Sequence, residues 1–362
     1  MPRSRWLALC LGFSFLSLAA GCARRAAPTG PGRPPERPPA IVFAGDILLA
    51  GRAERLIEEE GADAPFAGVA DALREADLAV GNLECTVSTR GERAEKKYAF
   101  RAAPETVAAL TEAGFDVMTL ANNHSADFGR TALVDTCRAL READIAVMGA
   151  GENAERAGEP VVVVAGEPPV RIALLAFSNM QPTSFYAGAD RPGTNPAQPD
   201  AISESVALAR TRADRVIVLF HWGQERSSTP SARQRELAYI AADAGADLVI
   251  GHHPHVLQGF ERRGDALIAY SLGNFLFPSR GESRMTMLLR YLPGRSGGAR
   301  VEVVPVVIEG FQPRLADADE AADCVERLRA LSGKLGEALP DQRGAISLPA
   351  RADSVDKADT SP

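Results

Sequence analysis

The stretch Leu248-Val249-Ile250-Gly251-His252-His253-Pro254-His255 sets a short aliphatic run directly against three imidazoles. A run of this length and composition reads as a strand buried on both faces, so the polar residues fall at its carboxyl end. The same pattern recurs along the chain. Val216 to Phe220 ends in His221-Trp222-Gly223-Gln224-Glu225, and Val117-Met118-Thr119-Leu120 leads to Asn122-Asn123-His124. Leu78-Ala79-Val80 leads to Gly81-Asn82-Leu83-Glu84, and Ile41-Val42-Phe43 to Gly45-Asp46. Leu267 to Leu272 closes on Gly273-Asn274-Phe275. Val161 to Val164 and Ile172 to Phe177 are further runs of the strand type.

Helical stretches lie between these runs. Pro104 to Ala113 opens on proline and stops before Gly114. Gly129 to Ala143 and Ala232 to Ala244 carry apolar residues at helical spacing. Alternating strands and helices predict an α/β domain. Arg300 to Ile308 alternates like a further strand, and Asp317 to Leu335 is predicted to be a terminal helix. Residues 41–310 are read as one domain, 311–338 as a helical extension and 339–362 as a disordered tail. No internal repeat is visible.

Composition narrows the function. The 362 residues are 46% hydrophobic and 24% charged, which excludes a disordered chain, a collagen and a polytopic membrane protein. A net charge of −7 with 6% aromatic residues supplies neither a basic surface nor stacking platforms, so a nucleic-acid partner is excluded.

The amino terminus reads as an address. Arg3 and Arg5 precede the uncharged run Leu7 to Ala20, which is short for a membrane span and suits a signal-peptide core. The run ends Leu18-Ala19-Ala20-Gly21-Cys22, which resembles a bacterial lipobox with Cys22 as the lipidated first residue of the mature chain. Residues 1–21 are therefore read as a lipoprotein signal and 22–40 as a proline-rich tether that holds the domain off a membrane surface. Cys85, Cys137 and Cys324 are widely spaced and read as small buried hydrophobes.

The chain has five histidines, His124, His221, His252, His253 and His255, and all lie in the strand-end motifs. Each motif alone has an ordinary reading. Gly-Asp is a common turn, Asn122-Asn123-His124 could cap a helix, and His221 or Trp222 could be core residues. None of those readings explains why every histidine falls at a strand end. In α/β sheets that is where ligands bind. The donor set holds carboxylates (Asp46, Glu84), amide oxygens (Asn122, Asn123) and imidazoles, with no thiolate. It suits Mn, Fe or Zn in a catalytic site. Extended backbone around Pro254 is expected to put His253 and His255 on one face. The glycines before Asp46 and His252 allow close backbone approach. Metal binding is expected to weaken below about pH 6 as imidazoles protonate. Arg101 is expected to meet an anionic group, and Trp222 to wall the pocket beside Glu225.

In combination these motifs closely resemble the bacterial capsule-synthesis CapA family, which includes the PgsA-type poly-γ-glutamate synthesis proteins. The resemblance runs from about residue 40 to 310. It implies a four-layer α/β/β/α sandwich of the metallophosphoesterase type with mixed sheets and two divalent metal ions. Residue by residue, Asp46 and His255 look like ligands of the first metal, and Glu84 stands where a carboxylate would bridge both. Asn123, His221 and His253 look like ligands of the second. His124, with Asn123, stands in the catalytic position, and Arg101, Trp222, Glu225 and Asn274 are carried as substrate-binding residues. The sequence departs from the usual phosphoesterase opening, because Asp46-Ile47-Leu48 stands where Asp-x-His is usual and Gly-Asn-Leu-Glu replaces Gly-Asp-x-x-Asp. The resemblance further implies a cell-envelope location, an anionic polymer or phosphorylated envelope substrate, and membrane proteins of capsule synthesis as partners.

Overall fold

The computed structural model describes residues 39–166, 169–294, 298–337, 340–341 and 344–348. The signal segment, Cys22, most of the tether and residues 349–362 lie outside them.

Two mixed sheets form the centre of the molecule. The first runs in the order Gln312–Leu315, Ala299–Glu309, Met285–Pro293, Ile41–Ile47, Leu78–Leu83, Val117–Thr119, Ala146–Met148. Asn274–Leu276 also pairs with Ile41–Ile47, and Ala345–Leu348 with Ala299–Glu309. The second runs Phe260–Arg263, Ala266–Ala269, Leu248–His252, Arg215–His221, Val170–Ser178, Val161–Ala165. Pairing is parallel among the strands that carry the polar motifs.

Side-chain alternation along each strand produces the layers. Ile41, Phe43, Leu78 and Val80 point inward from the first sheet and meet Ile172, Leu174, Ile217, Leu219, Leu248 and Ile250 from the second. Their neighbours point outward. Val42, Ala44, Ala79 and Leu83 pack on Ala53, Leu110, Leu133 and Leu140 of the helices covering the first sheet. Leu175, Phe177, Val216, Val218, Phe220 and Val249 pack on Ile202, Val206, Leu237 and Ala241 of helices Pro199–Arg210 and Ala232–Asp243. Four layers result, α/β/β/α, because each strand has apolar residues for both of its faces. Cys85, Cys137 and Cys324 are buried in these cores as free thiols.

The structure differs from the sequence expectations at the edges. Val161–Ala165 is an antiparallel edge strand rather than one buried on both faces, and Val162 and Val164 are exposed. The run after Leu267 leaves the strand at Ala269, because Tyr270 to Gly273 turn toward the strand-end loops. Pro104 to Ala113 is a 3-10 turn, Pro104–Val107, followed by the helix Ala108–Ala113, closed by Gly114 at φ 96°. Residues beyond 310 are no separate extension. Gln312–Leu315 completes the first sheet, and helix Ala318–Gly333 inserts Cys324, Leu328 and Leu331 into the core between the sheets. The stretch from 339 was expected to be disordered, but Ala345–Leu348 forms a strand that buries Ile346 and Leu348. Four residues are too few to show periodicity, and only a long partner strand reveals their role.

Candidate metal centre

The carboxyl ends of both sheets open on one cluster. Asp46 is next to last in Ile41–Ile47, Glu84 follows Leu78–Leu83, and Asn123 follows Val117–Thr119. His221 ends its strand, and His253 follows Leu248–His252. Asp46 sits in register with Asn82 on one side and Asn274 on the other. Two glycines permit this crowding. A Cβ on Gly45 would collide with the carbonyl oxygen of Gly273, and one on Gly251 with that of Tyr270. The backbone at His253 and His255 is not extended. Both residues adopt positive φ, 96° and 58°, a strained conformation that turns the two rings into the cluster.

Asp46, Glu84 and His255 present ligand atoms within 4.8 Å of one another, and so do Glu84, His221 and His253. Glu84 belongs to both groups. Its Oε1 lies 3.5 Å from His221 Nε2 and 3.8 Å from His255 Nε2. Those separations are too long for hydrogen bonds. They suit donors gathered around an ion, because atoms each about 2.1 Å from one metal lie roughly 3–3.5 Å apart. His221 Nε2 is 2.8 Å from Asn123 Oδ1 and 3.2 Å from His253 Nδ1. His255 Nδ1 is 3.1 Å from Asp46 Oδ2. Both carboxylate oxygens of Glu84 are buried with no hydrogen-bond partner. A buried carboxylate left bare in this way is what an all-oxygen and nitrogen metal site needs, and the residues present fit divalent ions.

The electrostatics of the metal-free cluster are strongly skewed. Burial, with the Asp46 charge nearby, pushes the Glu84 carboxyl well above its usual range. Burial and the neighbouring imidazoles hold His221 well below its usual range, and burial holds His253 down to about 3. Burial opposes charge on His255 as well, but Glu84 and Asp46 outweigh it and lift that imidazole to about 10. His255 therefore carries the proton that an ion would displace, while His221 and His253 offer neutral nitrogens.

The remaining predicted residues fall around this cluster. His124 Nδ1 lies 2.7 Å from Asp127 Oδ2, and its Nε2 faces Glu84 at 3.9 Å. His252 is buried with Nε2 directed at the Ala44 carbonyl. Glu225 is exposed, and its charge adds to the upward push on Glu84. Two of the expected substrate residues, Trp222 and Asn274, are placed otherwise. Trp222 is a core residue, fully buried, stacked on Phe220 at 4.5 Å and donating Nε1–H to the Tyr270 carbonyl. It follows His221 just past the strand end and keeps the face of Phe220, two residues before it, on which it stacks. Asn274 is turned to His255, with Oδ1 2.8 Å from Nδ1, and donates to Ser279 Oγ. It orients a ring rather than meeting a substrate. Arg101 is exposed, with its guanidinium over the Phe128 ring at 4.2 Å.

Two site residues had no predicted role. Asn82 donates to Asp46 Oδ1 and accepts from Asn122. Its place two residues before Glu84, near the end of the same strand, was the signal available. Lys96 lies 2.7 Å from Asp127 and donates to the Asn123 carbonyl. It comes from an irregular stretch with no periodicity to mark it.

Residues 40–279 match the model of a family described as bacterial capsule synthesis protein PGA_cap. The chain belongs to this family. The capsule biosynthesis protein CapA of Bacillus anthracis is 36% identical over 284 residues, which cover 76% of this chain and 68% of that protein. The PGA biosynthesis protein CapA of Bacillus subtilis is 35% identical over 276 residues, 75% of this chain and 72% of that protein. Among solved structures, the NAD nucleotidase NadN of Haemophilus influenzae aligns with a TM-score of 0.46 at 12% identity, covering 80% of this chain and 63% of that one. All six residues read as metal ligands in this PGA_cap chain lie within the matched range.

Two tests follow for this PGA_cap site. Mn²⁺ at about 100 times its Kd should stabilise the protein by about 2.7 kcal/mol. Glu84→Gln should abolish that gain in thermal unfolding and leave little bound metal by elemental analysis. His252→Ala should lower the melting temperature but keep the metal-induced rise. Equal loss of metal in both variants would remove Glu84 from its bridging position.

The second test concerns pH. His255 is raised above its ordinary value of 6.5 to about 10, so its ion pairs stabilise the metal-free fold fully below pH 6.5 and are lost as pH rises through 10. Metal binding must displace that proton. Glu84, also lifted well above its usual range, must give up any proton it holds as well, so Mn²⁺ affinity should climb at least tenfold per pH unit across neutrality, with one to two protons released. The expected midpoint near pH 6 moves upward, because His253 and His221 are already neutral there. Calorimetry in buffers of different ionisation enthalpy measures the proton count, and a pH-independent affinity would exclude His255 as a ligand.

Proposed function

We propose that this protein is a surface-anchored component of capsule or polyanion assembly whose strand-end centre is a two-metal hydrolase site. Mn, Fe or Zn would be held by Asp46, Glu84 and His255 at one position and by Glu84, Asn123, His221 and His253 at the other. The observation that carries the reading is the Glu84 carboxylate, buried, unpartnered and common to both ligand groups. When bound, two such ions supply Lewis acidity and an activated water for hydrolysis. The chain's own residues do the rest. Asp127 is fixed by Lys96 and the Phe100 N–H, and it takes the Nδ1 side of His124. That leaves His124 Nε2 as the atom that moves a proton, facing the cluster. Asn82 and Asn274 hold Asp46 and His255 in position. Arg101 is the charged group proposed to meet an anionic part of an envelope substrate, and Glu225, itself a carboxylate, is proposed to meet its uncharged hydrogen-bond donors. The printed names of the relatives, capsule and PGA biosynthesis, support the process rather than the chemistry.

The reading is tested with the purified domain loaded with Mn²⁺ and offered bis-p-nitrophenyl phosphate. Hydrolysis should depend on the metal, and His124→Ala should lower kcat by about 10²-fold or more while metal content stays constant. If the loaded protein cleaves neither this diester nor polymer from the cell envelope, the centre is a binding site and the hydrolase reading falls.

Anchoring rests on Leu18 to Cys22 and the tether that follows. Among the described residues no helix is long and apolar enough to cross a membrane. The full-length chain should partition into detergent through lipid on Cys22, and Cys22→Ser should move it to the aqueous phase. Unchanged partitioning of that variant would rule the lipid anchor out.

A further inference from the structure

Beside the metal centre lies a cavity of about 610 Å³ lined by Arg52, Arg226 and Arg280, with Val256, Ser279 and Glu282 among its other walls. Its charge is unbalanced. Glu282 is paired with Arg327 at 2.8 Å. Among the described residues no carboxylate pairs with any of the three arginines. Arg52 opens helix Arg52–Glu60, whose first turn has no side-chain cap, so the helix dipole adds positive potential on the same side. Its guanidinium is held over the Phe311 ring at 5.5 Å. The hydroxyls of Ser279 and Ser283 are spent on Phe277 and Arg280. The guanidiniums are therefore the groups left to recognise a ligand, in a chain whose net charge is −7.

The cavity and the centre share a wall. Arg226 donates its backbone N–H to the Pro254 carbonyl, between His253 and His255. Val256 follows His255 directly, and Ser279 accepts from Asn274, which holds the His255 ring. A ligand seated among the arginines would thus lie against the loop that carries two of the proposed metal ligands.

We propose that this cavity binds a polyanion, with carboxylates or phosphates on successive units, and presents the adjoining unit to the strand-end centre. Three guanidiniums with no carboxylate partner concentrate positive charge around one cavity, which favours a ligand bearing several anionic groups over a single one. Arginine suits either oxyanion because its donors form a planar fork. All three side chains are exposed, so single contacts are weak and salt-screened, and binding needs several anionic units at once. The inference rests on the polyanion part of the proposed function and not on hydrolysis.

The test uses chelator-treated, metal-free protein, so that failure of the hydrolase reading leaves it intact. Fluorescent glutamate oligomers, polyphosphate and a neutral oligomer of equal length are titrated by anisotropy. Wild type should bind an anionic oligomer and not the neutral one, and whichever anion binds more tightly identifies the oxyanion. The double variant R52Q/R280Q should weaken that binding by at least about tenfold. The charge reversal Arg280→Glu should weaken it further, with an unchanged thermal melt in both. The proposal is overturned if wild type binds no anionic oligomer, or if folded R52Q/R280Q and Arg280→Glu both bind as tightly as wild type.

Discussion

The Glu84 carboxylate is held out of water with neither oxygen hydrogen-bonded, while three imidazoles stand within 4 Å of it. Removing such a charge from solvent costs several kcal/mol unless a cation or a set of donors compensates. Among the chain's own groups the compensation is partial: His255 is raised to about 10 beside Glu84, while burial still pushes the Glu84 carboxyl well above its usual range. The rest of the site is arranged around this carboxylate. Asp46 and His255 lie on one side, His221 and His253 on the other, and His124 faces it from a third direction.

Holding these groups together requires the rigid frame behind them. Parallel strands in two face-to-face sheets end at the same level, so residues far apart in the chain meet at one rim. The strands are apolar on both faces, and the packing of helices outside and sheet against sheet inside fixes each strand end. Gly45 and Gly251 let backbones from neighbouring segments approach where a side chain would intrude. The positive φ angles at His253 and His255 are the local strain by which the loop turns its rings inward. The same loop forms one wall of the arginine-lined cavity, so the two features are one continuous surface.

Much of this was legible in the chain. Apolar runs with polar ends marked the strands and their carboxyl termini, and the confinement of all five histidines to those ends marked the site. The edges were not legible. Ala345–Leu348 is a strand only because Ala299–Glu309 offers it a partner, and Gln312–Leu315 likewise. Trp222 was expected in the pocket because it follows His221, yet strand alternation sends successive side chains to opposite faces. His221 therefore faces the cluster and Trp222 the helical layer. Applied to Asn82 and Glu84, the same alternation would have brought Asn82 into the site.

The sequence by itself determined the alternation of buried strands with helices and the chemical inventory, because periodicity and composition are local properties, while the four-layer plan was what the family resemblance implied. The sequence supplied carboxylates, amides and imidazoles at strand ends, a lipobox-like cysteine and a proline-rich tether. Only the tertiary structure decided how those groups are divided. It gave Glu84 to both ligand sets, turned Asn274 to His255 and brought Lys96 to Asp127. It also gathered Arg52, Arg226 and Arg280 around one cavity. Those relations depend on through-space distances between segments as far apart as residues 46 and 255, and no local pattern in a chain encodes them.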